Sequence, residues 1–341
     1  MKISIITVTK NNKTGLIRAI ECVRSQTYKN IEHIIVDGGS TDGTVEILRS
    51  AQNDSKSNVI LNGMKDLHST MDSSLAAQND FKNSSLLTNH YSLISMSEAD
   101  SGIYDAINKG IKLATGDVIG LLHSDDLYAD ENVISRYAEV FESPFDFVQG
   151  NRKEIDAVYS DLVYVKKVNS GQRIVNGKKT NHDSQLTNDY SSLTTNYSII
   201  RYWKTHKAVS SKQSSVKSEN IDHYSPITDH LLLNGWMPPH PTLFIRKEIY
   251  VKFGSYRTDM KIASDYDMIL RLLYKHKITS YYLPVTTYLM TIGGASNRSP
   301  GNIIQKSKED FRAMKLNGIP FPLFTLLIKN LRKLPQFLAR D

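Results

Sequence analysis

The sequence predicts an α/β fold built on a mixed, mostly parallel sheet that is flanked by helices. Short apolar, β-branched runs at residues 2–9, 31–36 and 118–122 each end at turn residues, and helical patterns separate them. Short apolar runs bounded by turn signals are typical of buried strands. Strands that alternate with helices pair in parallel through right-handed crossovers. We therefore expect the carboxyl ends of these strands to meet at one edge of the sheet.

The first two strand–helix units are defined by polar breaks in the sequence. The run at 2–9 stops at the polar residues 10–12, and Thr14 is expected to cap the helix that follows. The strand at 31–36 breaks at a glycine-rich turn, and a second helix is expected to begin near Thr44. The apolar stripe of the first helix comprises Leu16, Ile20 and Val23.

A third helix is predicted over residues 103–114, directly before the strand at 118–122. Asp105 and Lys109 lie four residues apart with the acidic residue first, which is the favourable order for an ion pair on a helix. The core-facing stripe of this helix, spaced every four residues, comprises Ile103, Ile107 and Ile111.

Polar side chains gather where the three predicted strands end. Thr9 ends the first strand and Asn11 follows it, Asp37 follows the second, and Asp125 and Asp126 follow the third. In open α/β sheets, ligands bind in the crevice beyond the carboxyl ends of the strands. Adjacent carboxylates repel each other and lose hydration there, so a divalent cation with phosphate oxygens is a natural partner. Each cluster taken alone also fits an ordinary turn that caps the next helix.

Short motifs recur along the chain at a characteristic spacing. In the first half they are Val-Asp-Gly-Gly-Ser-Thr-Asp-Gly-Thr at 36–44, Asn-Lys-Gly-Ile at 108–111, Ala-Thr-Gly-Asp at 114–117 and Ser-Asp-Asp at 124–126. Together they resemble family 2 glycosyltransferases with the GT-A fold, a Rossmann-like fold of nucleotide-diphospho-sugar transferases. Segments 159–164, 236–242 and 262–267 are similar to the bacterial surface-polysaccharide members of that family.

The resemblance implies an inverting transfer from a nucleotide-activated sugar, with Mn²⁺ or Mg²⁺ as the divalent metal. Asp125 and Asp126 match the metal-and-diphosphate motif, with Asp126 as the principal metal ligand. One departure from the family is that His123 replaces the first carboxylate of this motif. The residues expected to contact the donor are Thr9, Asn11, Asp37, Gly39, Asp100 and Asp125.

A general base is needed because an acceptor hydroxyl is a poor nucleophile until a carboxylate takes its proton. The resemblance gives this role to Asp265, which we expect at the start of a helix over 266–275. A carboxylate in a first helical turn also favours the helix dipole without any catalytic role. Asp267 is the nearest competitor. His240, in a proline-stiffened turn, either contacts the acceptor or the metal, or bonds backbone within the turn.

These assignments predict a transferase that moves one hexosyl or N-acetylhexosaminyl group from a UDP-sugar to a lipid-linked or growing saccharide in bacterial surface polysaccharide synthesis. A sugar nucleotidyltransferase is one alternative, although residues 9–12 lack the glycine-rich, arginine-bearing loop that it needs. A non-catalytic nucleotide-sugar binding protein is the other, because His123 replaces a carboxylate. The donor sugar, the base, the linkage, the acceptor and the oligomeric state stay open.

The composition favours a cytoplasmic enzyme. The 341 residues are 40% hydrophobic, which is enough for one large core. A single cysteine, Cys22, excludes a disulfide framework, and no charged-then-apolar leader precedes the first strand. No stretch approaches the roughly 20 apolar residues of a membrane span. The net charge of +7 comes without a basic recognition helix, so we expect phosphorylated donors and anionic lipids as partners, and no nucleic acid.

The predicted organisation is one catalytic domain over residues 1–318, with polar insertions at about 50–96 and 169–226. Residues 319–341 are predicted to form a basic amphipathic tail. Such a tail either lies in a membrane interface, on the cytoplasmic face of the inner membrane, or packs on the protein's own sheet. Its apolar stripe comprises Phe324, Leu327, Leu331, Leu334 and Leu338, interrupted by Pro335, and its basic side comprises Lys329, Arg332, Lys333 and Arg340.

Overall fold

The computed structural model describes residues 1–53, 91–143, 154–167, 197–203, 229–291 and 300–332. Its strands are β1 (Ile3–Thr9), β2 (Ile31–Asp37), β3 (Ser92–Ser97), β4 (Val118–Leu121), β5 (Leu127–Tyr128), β6 (Ala157–Lys167), β7 (Tyr197–Trp203), β8 (Phe244–Arg246) and β9 (Ser280–Thr291). Its α-helices are α1 (Lys13–Arg24), α2 (Thr44–Asn53), α3 (Ile103–Leu113), α4 (Val133–Glu142), α5 (Asp229–Leu233), α6 (Lys247–Phe253), α7 (Ser264–Ile269), α8 (Pro300–Leu316) and α9 (Pro322–Leu331).

The strands in these ranges form one mixed sheet. Its order is β3-β2-β1-β4-β8-β6-β9-β5, and β7 pairs with β6. Strands β3, β2, β1 and β4 run parallel, whereas β8 is antiparallel to both β4 and β6. Strands β6 and β9 are parallel to each other. The predicted mixed α/β fold is confirmed, and the carboxyl ends of β1, β2 and β4 open on the same edge.

Helices cover both faces of the sheet. Successive strand residues point to opposite faces, so Ile6 packs with the residues of α3 and α7 while Ile5 packs with those of α1 and α4. Because neither face is left to solvent, every residue of β1 and β2 is buried. This rigid parallel half holds the loops that follow β1, β2 and β4.

Two local predictions at helix starts are wrong. The cap of α1 is Asn12, whose side chain accepts a hydrogen bond from the Gly15 N–H at 3.0 Å, whereas Thr14 already lies in the first turn. Ile103 is 46% exposed because it is the first residue of α3, before the helix reaches the sheet. The core stripe of α3 therefore consists of Ile107 and Ile111, and the Asp105–Lys109 ion pair is present at 3.4 Å.

Parts of the two predicted insertions belong to the sheet. Strand β3, inside the stretch 50–96, pairs with β2 and buries Leu93. Strand β7, inside 169–226, pairs with β6. The prediction that these stretches lie in loops is wrong for both strands, which pair in the sheet. In β3 the sequence Ser-Leu-Ile-Ser-Met-Ser alternates too weakly to be distinguished from a polar loop, because it is a half-buried edge strand. Most of both stretches lies outside the described residues.

The C-terminal helix α9 packs on α8 by its polar side. Thr325 and Lys329 are buried, while Phe324 and Leu327 are exposed. The Lys329 Nζ pairs with Asp310 at 3.0 Å. The prediction that Lys329 belongs to an exposed basic side is therefore wrong. The remaining predicted tail residues, Lys333, Leu334, Pro335, Leu338 and Arg340, lie outside the described residues.

Within the described ranges, no helix has the length and apolar character that crossing a bilayer requires.

Candidate active site

The loops after β1 and β2 are joined by hydrogen bonds at the sheet edge. Thr9 and Asp37 end their strands as register partners, and the Gly38 N–H donates to the Thr9 carbonyl at 2.9 Å. Asn11, held in the left-handed region at φ 50°, donates its N–H to the Ser40 Oγ at 2.7 Å. These contacts bring Thr9, Asn11 and Asp37 together, as their positions after parallel strands predict.

Asp37 is fully buried and organises the turn that follows β2. Its Oδ2 accepts hydrogen bonds from the Ser40 N–H at 3.0 Å and from the Ser97 Oγ of β3 at 2.7 Å. The Ser40 hydroxyl also donates to Oδ1. Gly39 follows at φ 77°, a conformation that a side chain would strain. The carboxylate thus fixes the shape of the turn.

Asp100 packs directly against the turn after β2. A Cβ on Gly38 would lie 2.1 Å from the Asp100 Oδ2, so the glycine is required for this close approach. The Asp100 Oδ1 accepts from the Gly102 N–H at 3.0 Å. The buried Thr9 Oγ1 has no hydrogen-bond partner among the described residues. Buried hydroxyls are normally paired, so this hydroxyl is suited to a ligand contact.

Asp125 and Asp126 have opposite environments. Asp125 is exposed, and the Asn12 Nδ2 donates to its Oδ1 at 2.6 Å. Asp126 is buried, and both of its oxygens accept hydrogen bonds from β9, from the Thr291 N–H at 2.9 Å and from the Tyr288 hydroxyl at 3.3 Å. Burial, reinforced by the Asp125 charge, raises the pKa of Asp126 to about 7. Asp125 is therefore the carboxylate that faces the crevice.

The donor set here fits a metal that is shared with a ligand. Among the residues that the structure describes, no three Asp, Glu, His or Cys side chains come together to hold an ion. One exposed carboxylate supplies a hard oxygen ligand, and a divalent ion can complete its shell with diphosphate oxygens and water. Asp125 satisfies that requirement, whereas the oxygens of Asp126 are already engaged.

Asp265 lies at the start of α7 and is half-buried. The Tyr104 hydroxyl is 3.2 Å from the Asp265 Oδ1 and 2.8 Å from the Ile262 carbonyl oxygen. Its competitor Asp267 is buried, accepts from the Asn317 Nδ2 at 2.9 Å, and lies 3.7 Å from an Arg271 guanidinium nitrogen. Asp265 is therefore more accessible than Asp267. The buried, hydrogen-bonded setting of Asp267 is typical of a structural residue.

An aromatic cluster contacts Asp265 through Tyr104. The rings of Tyr104 and Tyr256 stack with centroids 5.7 Å apart, and the Tyr256 hydroxyl lies 2.7 Å from the His240 Nε2. Asn108, one turn after Tyr104 in α3, makes hydrogen bonds to both the N–H and the carbonyl of Tyr256. His240 is buried in this cluster, and its ring bonds the Tyr256 side chain and not the backbone of its own turn, which was the structural alternative.

The pKa values of the two histidines near the carboxylates are lowered. Burial lowers the pKa of His240, although the Asp265 charge opposes the shift. Burial and the neighbouring His240 lower the pKa of His123 to about 4. The His123 imidazole therefore replaces a carboxylate with a neutral group, and its Nδ1 has no hydrogen-bond partner within the described residues.

Sequence reasoning did not single out several residues that shape this site. Tyr104 is four residues before Asn108 on α3, and Asn108 opens the Asn-Lys-Gly-Ile motif, but neither signal indicated their contacts with Asp265 and Tyr256. Tyr288 and Thr291 lie far along the chain in β9 and carry no signal that connects them to Asp126.

A family comparison agrees with this arrangement. The profile described as Glycosyl transferase family 2 matches residues 4–68 and 66–207, which is more than half of the chain. The chain belongs to glycosyltransferase family 2. In this family 2 member, the matched region contains Asp37, Asp100, Asp125 and Asp126, and Asp265 lies beyond it.

Curated relatives of this family 2 member are also glycosyltransferases by name. An uncharacterized glycosyltransferase of Mycobacterium tuberculosis H37Rv is 31% identical over 138 residues, which are 40% of this chain and 38% of that protein. Glycosyltransferase GlyG of Streptococcus pneumoniae serotype 4 is 28% identical over 154 residues, 45% of this chain and 40% of that protein. The chain therefore spans about two fifths of the length of these relatives.

Solved structures show the same fold. S. aureus TarS 1–349 in complex with UDP-GlcNAc matches with a TM-score of 0.54 and 13% identity, covering 98% of this chain and 73% of that chain. The UDP complex of the same TarS fragment gives a TM-score of 0.53 with the same identity. The fold of this family 2 member is the GT-A fold that the resemblance implies.

Proposed function

We propose that this family 2 member transfers one sugar from a UDP-sugar to a saccharide acceptor with inversion at the anomeric carbon. The observation that carries the proposal is the contrast between two accessible carboxylates, Asp125 and Asp265, and their buried neighbours Asp126 and Asp267. Transfer requires one accessible carboxylate near the diphosphate and another near the acceptor. The UDP and UDP-GlcNAc complexes of S. aureus TarS support the choice of nucleotide.

The nucleoside is proposed to bind on the surface that the turn after β2 forms together with Asp100, which packs directly on Gly38. Asp37 shapes this turn, and the Thr9 hydroxyl supplies a buried polar group without a partner in the described residues. Gly38 and Gly39 allow the backbone to approach the ligand. Asn11 fastens the β1 loop to this turn through Ser40 and Thr41.

Asp125 is proposed to hold the divalent metal, Mn²⁺ or Mg²⁺, together with the donor diphosphate. When bound, the ion supplies Lewis-acid stabilisation of the charge that develops on the leaving diphosphate. Asp126 holds the loop in place through its two hydrogen bonds to β9. The sequence prediction ranked Asp126 first, and we now rank Asp125 first because it is the exposed carboxylate.

Asp265 is proposed as the general base. Its carboxylate takes the proton of the acceptor hydroxyl as that oxygen attacks the anomeric carbon, on the face opposite the nucleoside diphosphate. The bond from the anomeric carbon to the diphosphate breaks, and the nucleoside diphosphate leaves with the bonding electron pair. A single displacement of this kind inverts the anomeric centre.

The acceptor is proposed to be a lipid-linked or growing saccharide of bacterial surface polysaccharide synthesis, met on the cytoplasmic face of the membrane. The support is the resemblance of segments 159–164, 236–242 and 262–267 to family members of that type. A protein of Mycobacterium bovis named a PGL/p-HBAD biosynthesis glycosyltransferase is 26% identical to this chain over 160 residues.

The test is a thermal-shift panel of nucleotide-sugars with and without Mn²⁺ or Mg²⁺, followed by measurement of UDP release. A donor that binds raises the melting temperature by mass action, and we expect a UDP-sugar to do so more strongly with metal. That donor should then be hydrolysed slowly and transferred to an acceptor. Binding without any release of UDP would instead identify a non-catalytic binding protein, and stabilisation by no nucleotide-sugar would refute the proposal entirely.

A further inference from the structure

The exposed apolar side chains of the described residues concentrate on α8 and α9. Phe321, Leu323 and Phe324 leave 71%, 72% and 62% of their surface exposed. Single exposed apolar residues are ordinary, but a contiguous patch marks an interaction site. We call this surface the α8–α9 face, and its other exposed members are Ile303, Ile304, Leu316, Leu327 and Leu331.

A groove joins the two helices into one surface. It has a volume of about 400 Å³ and lies open to solvent between the outer sides of α8 and α9. Its apolar lining comes from Ile303, Ile304 and Phe311 on α8 and from Leu323 and Leu326 on α9. The apolar face is therefore wider than the single stripe of the C-terminal helix, which is all that the sequence predicted.

Positive charge borders the α8–α9 face. Lys308 lines the groove, and the Lys315 Nζ lies 5.6 Å from the centroid of the Phe311 ring. Arg332 directly follows α9, and all three cations are exposed. Neither lysine forms an ion pair with any carboxylate in the described part of the chain.

The acidic residues of α8 point away from this face. Glu309 accepts hydrogen bonds from the backbone N–H groups of Ile262 and Ala263 at 2.8 and 2.9 Å. Asp310 is buried between Lys306 and Lys329, at 2.9 and 3.0 Å. The outer surface is thus apolar and basic.

The same contacts connect the face to the proposed base. Glu309 fastens the turn that precedes α7, and the Lys329 Nζ lies 3.0 Å from the centroid of the Tyr266 ring. Tyr266 immediately follows Asp265 in α7. The α8–α9 face is therefore separated from Asp265 by one layer of helix.

We propose that the α8–α9 face docks the protein on a bilayer that contains anionic phospholipids. Phe321, Leu323 and Phe324 enter the boundary between headgroups and acyl chains, and Lys308 and Lys315 contact lipid phosphates. Apolar insertion and attraction to anionic headgroups together are what interfacial helices use for binding. This docking rests on the proposed function, in which the acceptor is lipid-linked. It places the membrane beside the acceptor side of the site.

Charge favours a membrane over a second copy of the chain. A two-fold interface would set the same patch against itself, and would bring the lysines of both copies together. Lysine is also depleted in protein–protein interfaces. An anionic lipid surface, in contrast, complements Lys308, Lys315 and Arg332 simultaneously.

The experiment is co-sedimentation of the full chain with vesicles of phosphatidylcholine, with or without phosphatidylglycerol. We expect sedimentation with the anionic vesicles and weaker binding at higher salt, because the screening length falls from about 10 Å at 0.1 M to about 3 Å at 1 M. Point substitutions are preferable to deletion of residues 320–341, since deletion would also remove the buried Lys329.

Two pairs of substitutions test the two components of binding. Leu323→Ser with Phe324→Ser should lower the fraction bound at least tenfold. Lys308→Glu with Lys315→Glu should weaken binding at least 25-fold, from roughly fivefold per charge near the surface. The matched controls are Val251→Ser, which replaces a 79% exposed apolar residue of α6, and Lys112→Glu, at an exposed lysine of α3.

Four outcomes would overturn the proposal: a wild-type protein that never sediments, equal losses in the controls, binding that ignores lipid charge, or a dimer that the face substitutions convert to monomers. Light scattering measures the last of these. Thermal unfolding with and without the UDP-sugar shows whether each variant is folded. If the double variant Leu323→Ser with Phe324→Ser does not fold, the single variant Leu323→Ser is used in its place. Vesicle binding without sugar transfer would refute the proposed function and leave the docking surface standing.

Discussion

The hydroxyl of Tyr104 lies 3.2 Å from the Oδ1 of Asp265, and it thereby links helix α3 to the proposed general base. The same hydroxyl is 2.8 Å from the Ile262 carbonyl oxygen, so its single hydrogen is shared between the turn before α7 and the carboxylate. Tyr104 is a positioning residue in this arrangement, because it contacts the base and stacks on Tyr256.

We expect Tyr104→Phe to lower kcat by about tenfold while the KM for the donor stays near the wild-type value. The substitution keeps the ring and its stacking on Tyr256 and removes only the hydroxyl that orients Asp265. One net hydrogen bond to a charged group is worth about 1.5–3 kcal/mol. Steady-state kinetics with varied donor and varied acceptor provide the measurement. A rise in donor KM with unchanged kcat would show that Tyr104 acts on donor binding instead.

The two aspartates of α7 should respond differently to the same substitution. Asp265→Asn should abolish transfer and leave donor affinity and the melting temperature close to wild type, since the carboxylate acts on the acceptor. Asp267→Asn should retain transfer but lower stability by about 1–3 kcal/mol, because it removes a buried charge beside the partly buried Arg271. Calorimetric donor titration and urea unfolding separate the two effects. An inactive Asp267→Asn with an active Asp265→Asn would reverse the assignment.

Substitutions of Asp125 and Asp126, the two aspartates after β4, should have different effects, because we propose that one is a metal ligand and the other holds the loop. Asp125→Asn should leave the melting temperature of the free protein unchanged and remove the extra stabilisation that Mn²⁺ gives in the presence of UDP. Asp126→Asn should also lower turnover by orders of magnitude, because Asp126 places the loop through Thr291 and Tyr288.

Thermal shifts with UDP, with and without Mn²⁺, are the measurement for this pair. Of the two aspartate variants, only Asp126→Asn should change the melting temperature of the free protein, because only Asp126 is held by β9. Metal-dependent stabilisation that survives in Asp125→Asn and disappears in Asp126→Asn would restore the original ranking. Full activity in the presence of a chelator would contradict both assignments.

The place of the candidate site could be predicted from sequence because parallel strands end at one edge. Thr9 and Asp37 end β1 and β2, Asp125 follows β4, and the register of β1 with β2 and β4 brings them to one edge. Apolar runs and turn residues are local signals, so the strands and most of the helices were accessible to the same reasoning.

No local pattern ranks the two members of a carboxylate pair, because their environments depend on residues that are distant in the chain. Only the family resemblance placed Asp265 before Asp267, and it placed Asp126 before Asp125. Asp126 is engaged by Thr291, and Asp267 is engaged by Asn317. Lys329 is a second example. Helical periodicity placed it on the side opposite the leucines, but could not reveal that it pairs there with Asp310 of α8. Such pairings belong to the tertiary structure, and no local pattern encodes them.

A buried histidine in β2 should make the protein sensitive to acid. His33 is fully buried between the Thr7 Oγ1 at 2.8 Å and the Tyr91 hydroxyl at 2.9 Å. Burial, with a smaller contribution from the Arg24 charge, lowers its pKa from an ordinary value of 6.5 to about 3. The folded protein therefore holds a neutral imidazole at pH values where the unfolded chain is already protonated.

The contribution of His33 to stability should be complete above pH 6.5 and should be lost as the pH falls toward 3. Between these values the unfolded state binds the extra proton, so the free energy of unfolding drops by about 1.4 kcal/mol per pH unit. Urea unfolding at pH 7.5 and pH 5 should show that the wild type loses about 2 kcal/mol more than His33→Gln, because Asp126 and His123 titrate equally in both proteins. His230→Gln, at an exposed position in α5, is the matched control and should keep the wild-type loss. An equal pH dependence in His33→Gln and in the wild type would show that other groups carry the acid sensitivity.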